Sequence, residues 1–144
     1  MSSLEHILTT AASGMSAESI RLNTISSNLA NANSVSGDPD STYRAKTAEF
    51  SEVKDRIPGL SDMEQPIGGV QVTKVSTSDK PLEKRYEPDN PLANSDGFVY
   101  NSDVNPIEEM TNMIESSKSY QANAEIMNTT KSLIMQSINV LDEK

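Results

Sequence analysis

The chain offers little that could do covalent or metal chemistry. His6 is the only histidine and there is no cysteine. Thiolate catalysis, thiolate metal sites and disulfides are therefore excluded together. A catalytic or metal-binding His6 would need partners, and no second imidazole exists to supply one. Asp38 and Asp40, in Gly37-Asp38-Pro39-Asp40-Ser41, resemble the opening of a calcium loop. The remaining ligand spacing and the closing Glu are missing, so the pair reads as turn-forming. Gly68-Gly69 precedes a strand candidate, not a helix, and cannot cradle a phosphate at a helix N-terminus. The adjacent Glu108 and Glu109 suit the positive end of a helix better than general acid–base work. Met110, Met113 and Met127 lie at helical spacing, as gap-filling core methionines do. The sequence thus points to no catalytic residue, no cofactor and no metal, and to a protein that is not an enzyme.

The elements around these residues carry the stronger signal. A 4,3 apolar register near the N-terminus falls on Leu4, Leu8, Ala11, Met15, Glu18, Leu22, Ile25, Leu29 and Ala32, with Glu18 as its violation. A second falls on Met113, Ser117, Tyr120, Ala124, Met127, Lys131, Ile134, Ile138 and Leu141, broken at Ser117 and Lys131. Such seams form where helices bury a narrow strip against other helices. The first helix is expected from residue 3 to about 33, with Gly14 costing about 1 kcal/mol relative to Ala. The second has a marked start: Asn105 can cap, Pro106 suits the first turn, and Glu108 can reach back to the cap. No Pro or Gly interrupts it as far as Leu141, giving a rod of roughly 50 Å at 1.5 Å per residue. So long a helix cannot be buried within so short a chain.

The faces away from the seams carry amides and hydroxyls, among them Asn23, Ser26, Asn28, Asn31, Asn112, Gln121, Asn123, Asn128 and Gln136. A solvated helix would carry charges there. Paired amides can be buried across an interface at lower desolvation cost than charges. Between the helices, Val70–Val75 reads as a strand, Leu82–Tyr86 as its returning partner and Gly97–Tyr100 as a third short strand. Arg56–Gly69 reads as loop. The expected fold is mainly α: long N- and C-terminal helices paired as a coiled-coil-like hairpin, with a small β-hairpin-containing insertion. The expected division is an assembly helix at 1–34, a loop-rich middle at 35–104 and a second assembly helix at 105–144, the helices forming one discontinuous domain.

The net charge is −9. Glu5 and Glu18 against Arg21 leave the first helix at −1. Glu108, Glu109, Glu115 and Glu125 against Lys118 and Lys131 leave residues 106–141 at −2. The remainder lies in the middle and at the extreme C-terminus. An acidic chain lacks the basic face that phosphate contacts need, so nucleic acid is not an expected partner. No run is apolar and long enough to insert in a bilayer. The start, MSSLEHILTT, has no basic segment before an apolar one, so a cleaved signal peptide is not expected.

Two segments carry a family resemblance. Residues 13–34, SGMSAESIRLNTISSNLANANS, resemble the N-terminal signature of bacterial flagellar rod and hook proteins, most specifically at Ser27–Ser34. Residues 104–133 are similar to the C-terminal helix of the same family, especially Ser119-Tyr120-Gln121-Ala122-Asn123. The short length, Tyr43-Arg44-Ala45-Lys46 and YEPDNPLANSDGFV at 86–99 are most similar to the proximal rod members. Ser34 departs from the Thr common there, and residues 56–69 match no motif. The resemblance implies a structural subunit of the proximal rod, the driveshaft crossing the periplasm, exported by the flagellar type III apparatus. Its partners would be copies of itself and other rod subunits. It places Leu22, Ile25, Leu29, Met113, Tyr120, Ala124 and Met127 in helix contacts, with Asn28, Asn31, Gln121 and Asn123 as amides of the assembly interface. The competing readings are another axial rod or hook subunit, and a soluble helical adaptor or export chaperone.

Overall fold

The structure, a computed structural model, describes residues 3–56 and 64–142; of 55–56, 64–67 and 140–142 only the backbone is described. The element order is α1 (Ser3–Ala30), β1 (Val35–Ser36), β2 (Lys46–Arg56), β3 (Glu64–Thr77), β4 (Lys84–Tyr86), β5 (Phe98–Asn101) and α2 (Pro106–Asp142). Two long helices enclose a small β insertion, the expected class.

Helix α1 ends three residues before the expected Asn33, and the local chemistry explains it. The Asn31 side chain donates from Nδ2 to the Ser27 carbonyl at 2.8 Å, and Ser34 Oγ donates to the Asn31 carbonyl at 2.7 Å. Short polar side chains that bond the backbone in this way compete with the next helical turn. Helix α2 starts where the capping signal lies: Asn105 Oδ1 accepts from the backbone N–H groups of Ile107 at 3.1 Å and Glu108 at 3.4 Å.

The strand pairing corrects the expected hairpin. Leu82–Tyr86 does not return against Val70–Val75. Instead β3 pairs with β2, and β4 pairs with β5. The stretch expected as loop is strand from Glu64 onward, and its residues 57–63 lie outside the described ones. The second sheet has the order β1-β5-β4, antiparallel, with Val35 opposite Asn101, and Arg85 opposite Val99.

The chain groups into two units. The first comprises Met1–Ile20, Glu49–Lys74 and Ser116–Lys144; the second comprises Arg21–Ala48 and Val75–Glu115. In the first unit α1 and α2 run antiparallel. A Cβ placed on Gly14 would lie 2.8 Å from Asn123 Nδ2, and Ile7 and Ala11 share a cavity wall with Ile126. Gly14 is thus a point of close helix approach rather than only a weak spot. On the other side, Ser13 Oγ donates to the Thr10 carbonyl at 2.7 Å and accepts from the Val70 N–H at 3.1 Å. Gly68 and Gly69, with φ of 76° and 124°, let β3 come this near: a Cβ on Gly69 would stand 3.0 Å from Ser13 Oγ.

In the second unit Val99, fully buried at the centre of its sheet, and Val104 form the core with Ile25 of α1. The 86–99 segment is shaped by its own side chains. Asn94 Oδ1 accepts from the N–H groups of Asp96 and Phe98, an Asx-type turn closed by Gly97 at φ 78°. Tyr86 and Phe98 meet edge to face at 5.1 Å.

Candidate assembly surfaces

Among the described residues no group of three or more His, Asp or Glu side chains converges as a metal site. His6 is exposed and lines a cavity with Ser3 and Ile7. Asp38 forms the turn its sequence suggests: its carboxylate accepts from the Asp40 N–H at 3.1 Å, and its carbonyl from Thr42 Oγ1 at 2.8 Å. No helix is long and apolar enough to cross a membrane among the described residues.

The proposed assembly residues fall in both units. In the second, Ile25 and Asn28 are buried, and Leu22, Leu29, Asn31 and Met113 are partly buried. In the first, Tyr120, Asn123, Ala124 and Met127 are partly buried, while Gln121 is exposed. Both apolar registers therefore turn inward over much of their length. Met110, expected as packing, is 58% exposed instead.

Asn28 makes the densest polar site. Its Nδ2 donates to the Lys46 carbonyl at 2.8 Å, and its Oδ1 accepts from the Lys46 N–H at 2.9 Å and the Tyr43 hydroxyl at 2.9 Å. Tyr43 also lies 3.0 Å from Ser27 Oγ. One amide thus satisfies both backbone groups of the first residue of β2 and ties that strand to α1. Next to it, Glu109 has its carboxyl pushed up from the ordinary range, chiefly by burial; a hydrogen bond with the Asn28 side chain opposes this, Glu108 adds to it, and Arg21 opposes it. The Tyr43–Lys46 motif is completed by Ala45, whose N–H donates to Asp103 Oδ1 at 2.6 Å. Arg44 Nη1 reaches the carbonyls of Ser78 and Lys80 at 3.2 and 2.9 Å.

Two buried positions on α2 escaped the apolar register. Ser116 and Thr130 are buried at 0% and 4% exposure, beside the register positions Ser117 and Lys131. Ser116, Asn123 and Thr130 recur every seven residues, and this heptad of small polar side chains is the signal that finds them. Small residues let backbones approach; Thr130 spends its hydroxyl on the Ile126 carbonyl at 2.8 Å.

The helices also expose apolar side chains. In the second unit Ile107 and Ile114 flank Met110 at one-turn spacing on the outer face of α2. In the first unit Ile126, Leu133, Met135 and Ile138 are exposed. Apolar side chains left exposed at such spacing are area that a partner could cover.

Known proteins identify the setting. Residues 8–37 match the family of flagella basal body rod proteins, and residues 95–140 match the C-terminal region of the flagellar basal body rod FlgEFG proteins. The chain is 42% identical over 137 residues to the flagellar basal-body rod protein FlgC of Salmonella typhimurium, covering 95% of this chain and 97% of that one. It is 41% identical over 138 residues to FlgC of Yersinia enterocolitica, covering 96% and 98%. To FlgC of Bacillus subtilis it is 31% identical over 147 residues, covering 94% and 96%. The paired terminal helices, the turn-rich 86–99 segment and this end-to-end similarity agree: the chain belongs to the FlgC family of flagellar basal-body rod proteins.

Proposed function

We propose that this chain is a structural, non-enzymatic subunit of the proximal rod, where its terminal helices pack into the axial driveshaft that transmits motor torque. The observation that carries this is the pair of helices with inward seams and exposed apolar rows, on a chain similar to FlgC proteins from end to end. Stiffness suits a driveshaft, and interdigitated α-helices supply it at low cost in chain length. Residues 1–34 and 105–144 act as the assembly domain in this reading, with the middle inserted between them in sequence. Leu22, Ile25, Leu29, Met113, Tyr120, Ala124 and Met127 hold helix contacts; Asn31, Gln121 and Asn123 offer amides to neighbours, whereas Asn28, expected among these amides, spends its side chain on Lys46 and Tyr43 within the subunit. The partners are copies of itself and other rod subunits. Delivery is through the flagellar type III export apparatus to the part of the basal body that spans the periplasm.

Deletion of the gene followed by imaging of isolated basal bodies is the direct test. The expected result is loss of the rod and of swimming, both restored by the full chain. Intact rods and normal motility in the deletion strain overturn the assignment. Leu29→Asp places a charge in the seam with nothing to pair it. It is expected to abolish rod assembly while the variant is still secreted; a strain that swims normally removes Leu29 from the interface.

A further inference from the structure

Glu18 breaks the α1 register, and the structure gives that break a setting. It lines a cavity of about 430 Å³ in the first unit, with Thr10, Ala17, Phe50, Val70, Ser119 and Asn123. Its Oε2 is shut off from water and has no hydrogen-bond partner among the described residues. A carboxylate oxygen in that position calls for a cation or a donor. Two hydroxyls and an amide add further acceptors, and Ala17, Phe50 and Val70 are apolar. That combination fits a lysine, whose methylene stem covers apolar wall while its head meets the carboxylate. A second cavity, lined by Ile7, Ala11 and Ile126, shares Thr10 and Asn123 with the first.

The complement lies further along α2 in the same unit. Lys131 is exposed, and Met135 and Ile138 follow it at i+4 and i+7, also exposed, at 55% and 47%. Residues so spaced share one helix face. Within one subunit Lys131 cannot meet Glu18. Gly14 stands against Asn123, so the antiparallel pair sets Glu18 level with Ser119, and Lys131 lies about 18 Å further along α2.

We infer that α2 of a second copy, shifted along the helix axis by about that distance, seats its Lys131 against Glu18 and its Met135 and Ile138 in the adjoining cavity. Chain direction agrees with this. Because α2 runs against α1, the step from Lys131 to Ile138 matches the step from Glu18 back to Ala11. Both are seven residues, about 10 Å. The donating and accepting surfaces differ, so the contact is heterologous and repeats along an array rather than closing as a symmetric dimer. The contact deepens the rod reading above and rests on it, with the second copy as occupant.

The cysteine-free chain makes the test clean. Glu18→Cys and Lys131→Cys variants of the full chain are co-expressed in the deletion strain, and basal bodies are isolated and oxidised. A disulfide-linked dimer formed only when both variants are present is the expected result. Basal bodies that assemble from both variants and give no dimer overturn the contact. Where the cysteine variants do not assemble, charge reversal decides. Glu18→Lys and Lys131→Glu each lower rod assembly about tenfold or more, the penalty of an unpaired buried charge. The double variant restores it if they face each other, and no recovery overturns the contact. Complementation by the unaltered chain keeps the two claims apart. If it restores swimming while the cross-link and the rescue fail, only the contact falls. If it restores nothing, the rod reading itself falls.

Discussion

Asn28 shows how one side chain organises a junction. An asparagine amide buried in the last turn of a helix would ordinarily cost stability, yet here it is fully buried with its acceptor and donor both used. Replacing it with Ala leaves the Lys46 N–H and carbonyl without their side-chain partners, while the Tyr43 hydroxyl keeps only Ser27 Oγ. The expected loss is about 3 kcal/mol, from a penalty of 1–3 kcal/mol for each unsatisfied buried group. Urea unfolding of the purified chain, followed at Tyr43 and its neighbours in the second unit, measures it. Glu109 beside it gives a pH signature. Its folded pKa is raised above the ordinary carboxyl range, chiefly by burial. The folded state therefore holds the proton more tightly than the unfolded one, and the contribution is full below the ordinary carboxyl range. It is lost as pH rises through the folded value. Stability should fall as pH rises above that range, and Glu109→Gln should flatten the slope and be at least as stable as the parent at neutral pH. A parent and variant with parallel pH profiles would sink this account.

Elements show what was legible in the chain and what was not. Both helices could be read because their signals are local: an uninterrupted apolar period, and at Asn105-Pro106 a cap beside a first-turn proline. Strand β2 could not, because Lys46–Arg56 reads KTAEFSEVKDR, with charged residues on no strand period and only Phe50 and Val53 as large apolar ones. Its partner is a long strand whose start, Glu64–Gly69, contains a proline and two glycines. Pairing is a long-range choice that neither segment announces by itself. Strand β4 is legible from its own residues, but its neighbour β5 is not, for the same reason. The partly buried apolar stripes are legible from their spacing, whereas Gly14, Ser116 and Thr130 are not, since small residues mark close approach only once the facing helix is known. The loops follow this logic too. A Cβ on Gly37 would stand 2.6 Å from the Leu92 carbonyl oxygen and 3.0 Å from the Asn94 nitrogen, both backbone atoms that cannot swing aside. Gly37→Ala should destabilise the second unit by about 1–3 kcal/mol, as overpacking does. Thermal unfolding at unchanged stability would show that this loop yields.

For the molecule as a whole, the two units differ in what holds them. The second has Val99, Val104 and Ile25 buried, together with the Asn28 site. The first has Ala11 and Ala17 as its fully buried apolar residues among those described, while Ile126, Leu133, Met135 and Ile138 face outward. Ordering each residue costs about 1–2 kcal/mol of backbone entropy, and two buried methyl groups offset little of that. The outer parts of α1 and α2 should therefore gain most of their order from neighbouring subunits. In dilute buffer the purified chain is expected to be monomeric, with a helical signal well below that of two complete helices. Limited proteolysis should cut first within residues 3–20 and 116–142 and leave the second unit longest. Addition of rod fragments should protect the ends and raise the helical signal together. An adaptor or export chaperone behaves oppositely, because it must hold a finished surface ready for its client. A compact, highly helical, protease-resistant dimer in the absence of other rod proteins would favour that reading over a subunit completed by its lattice.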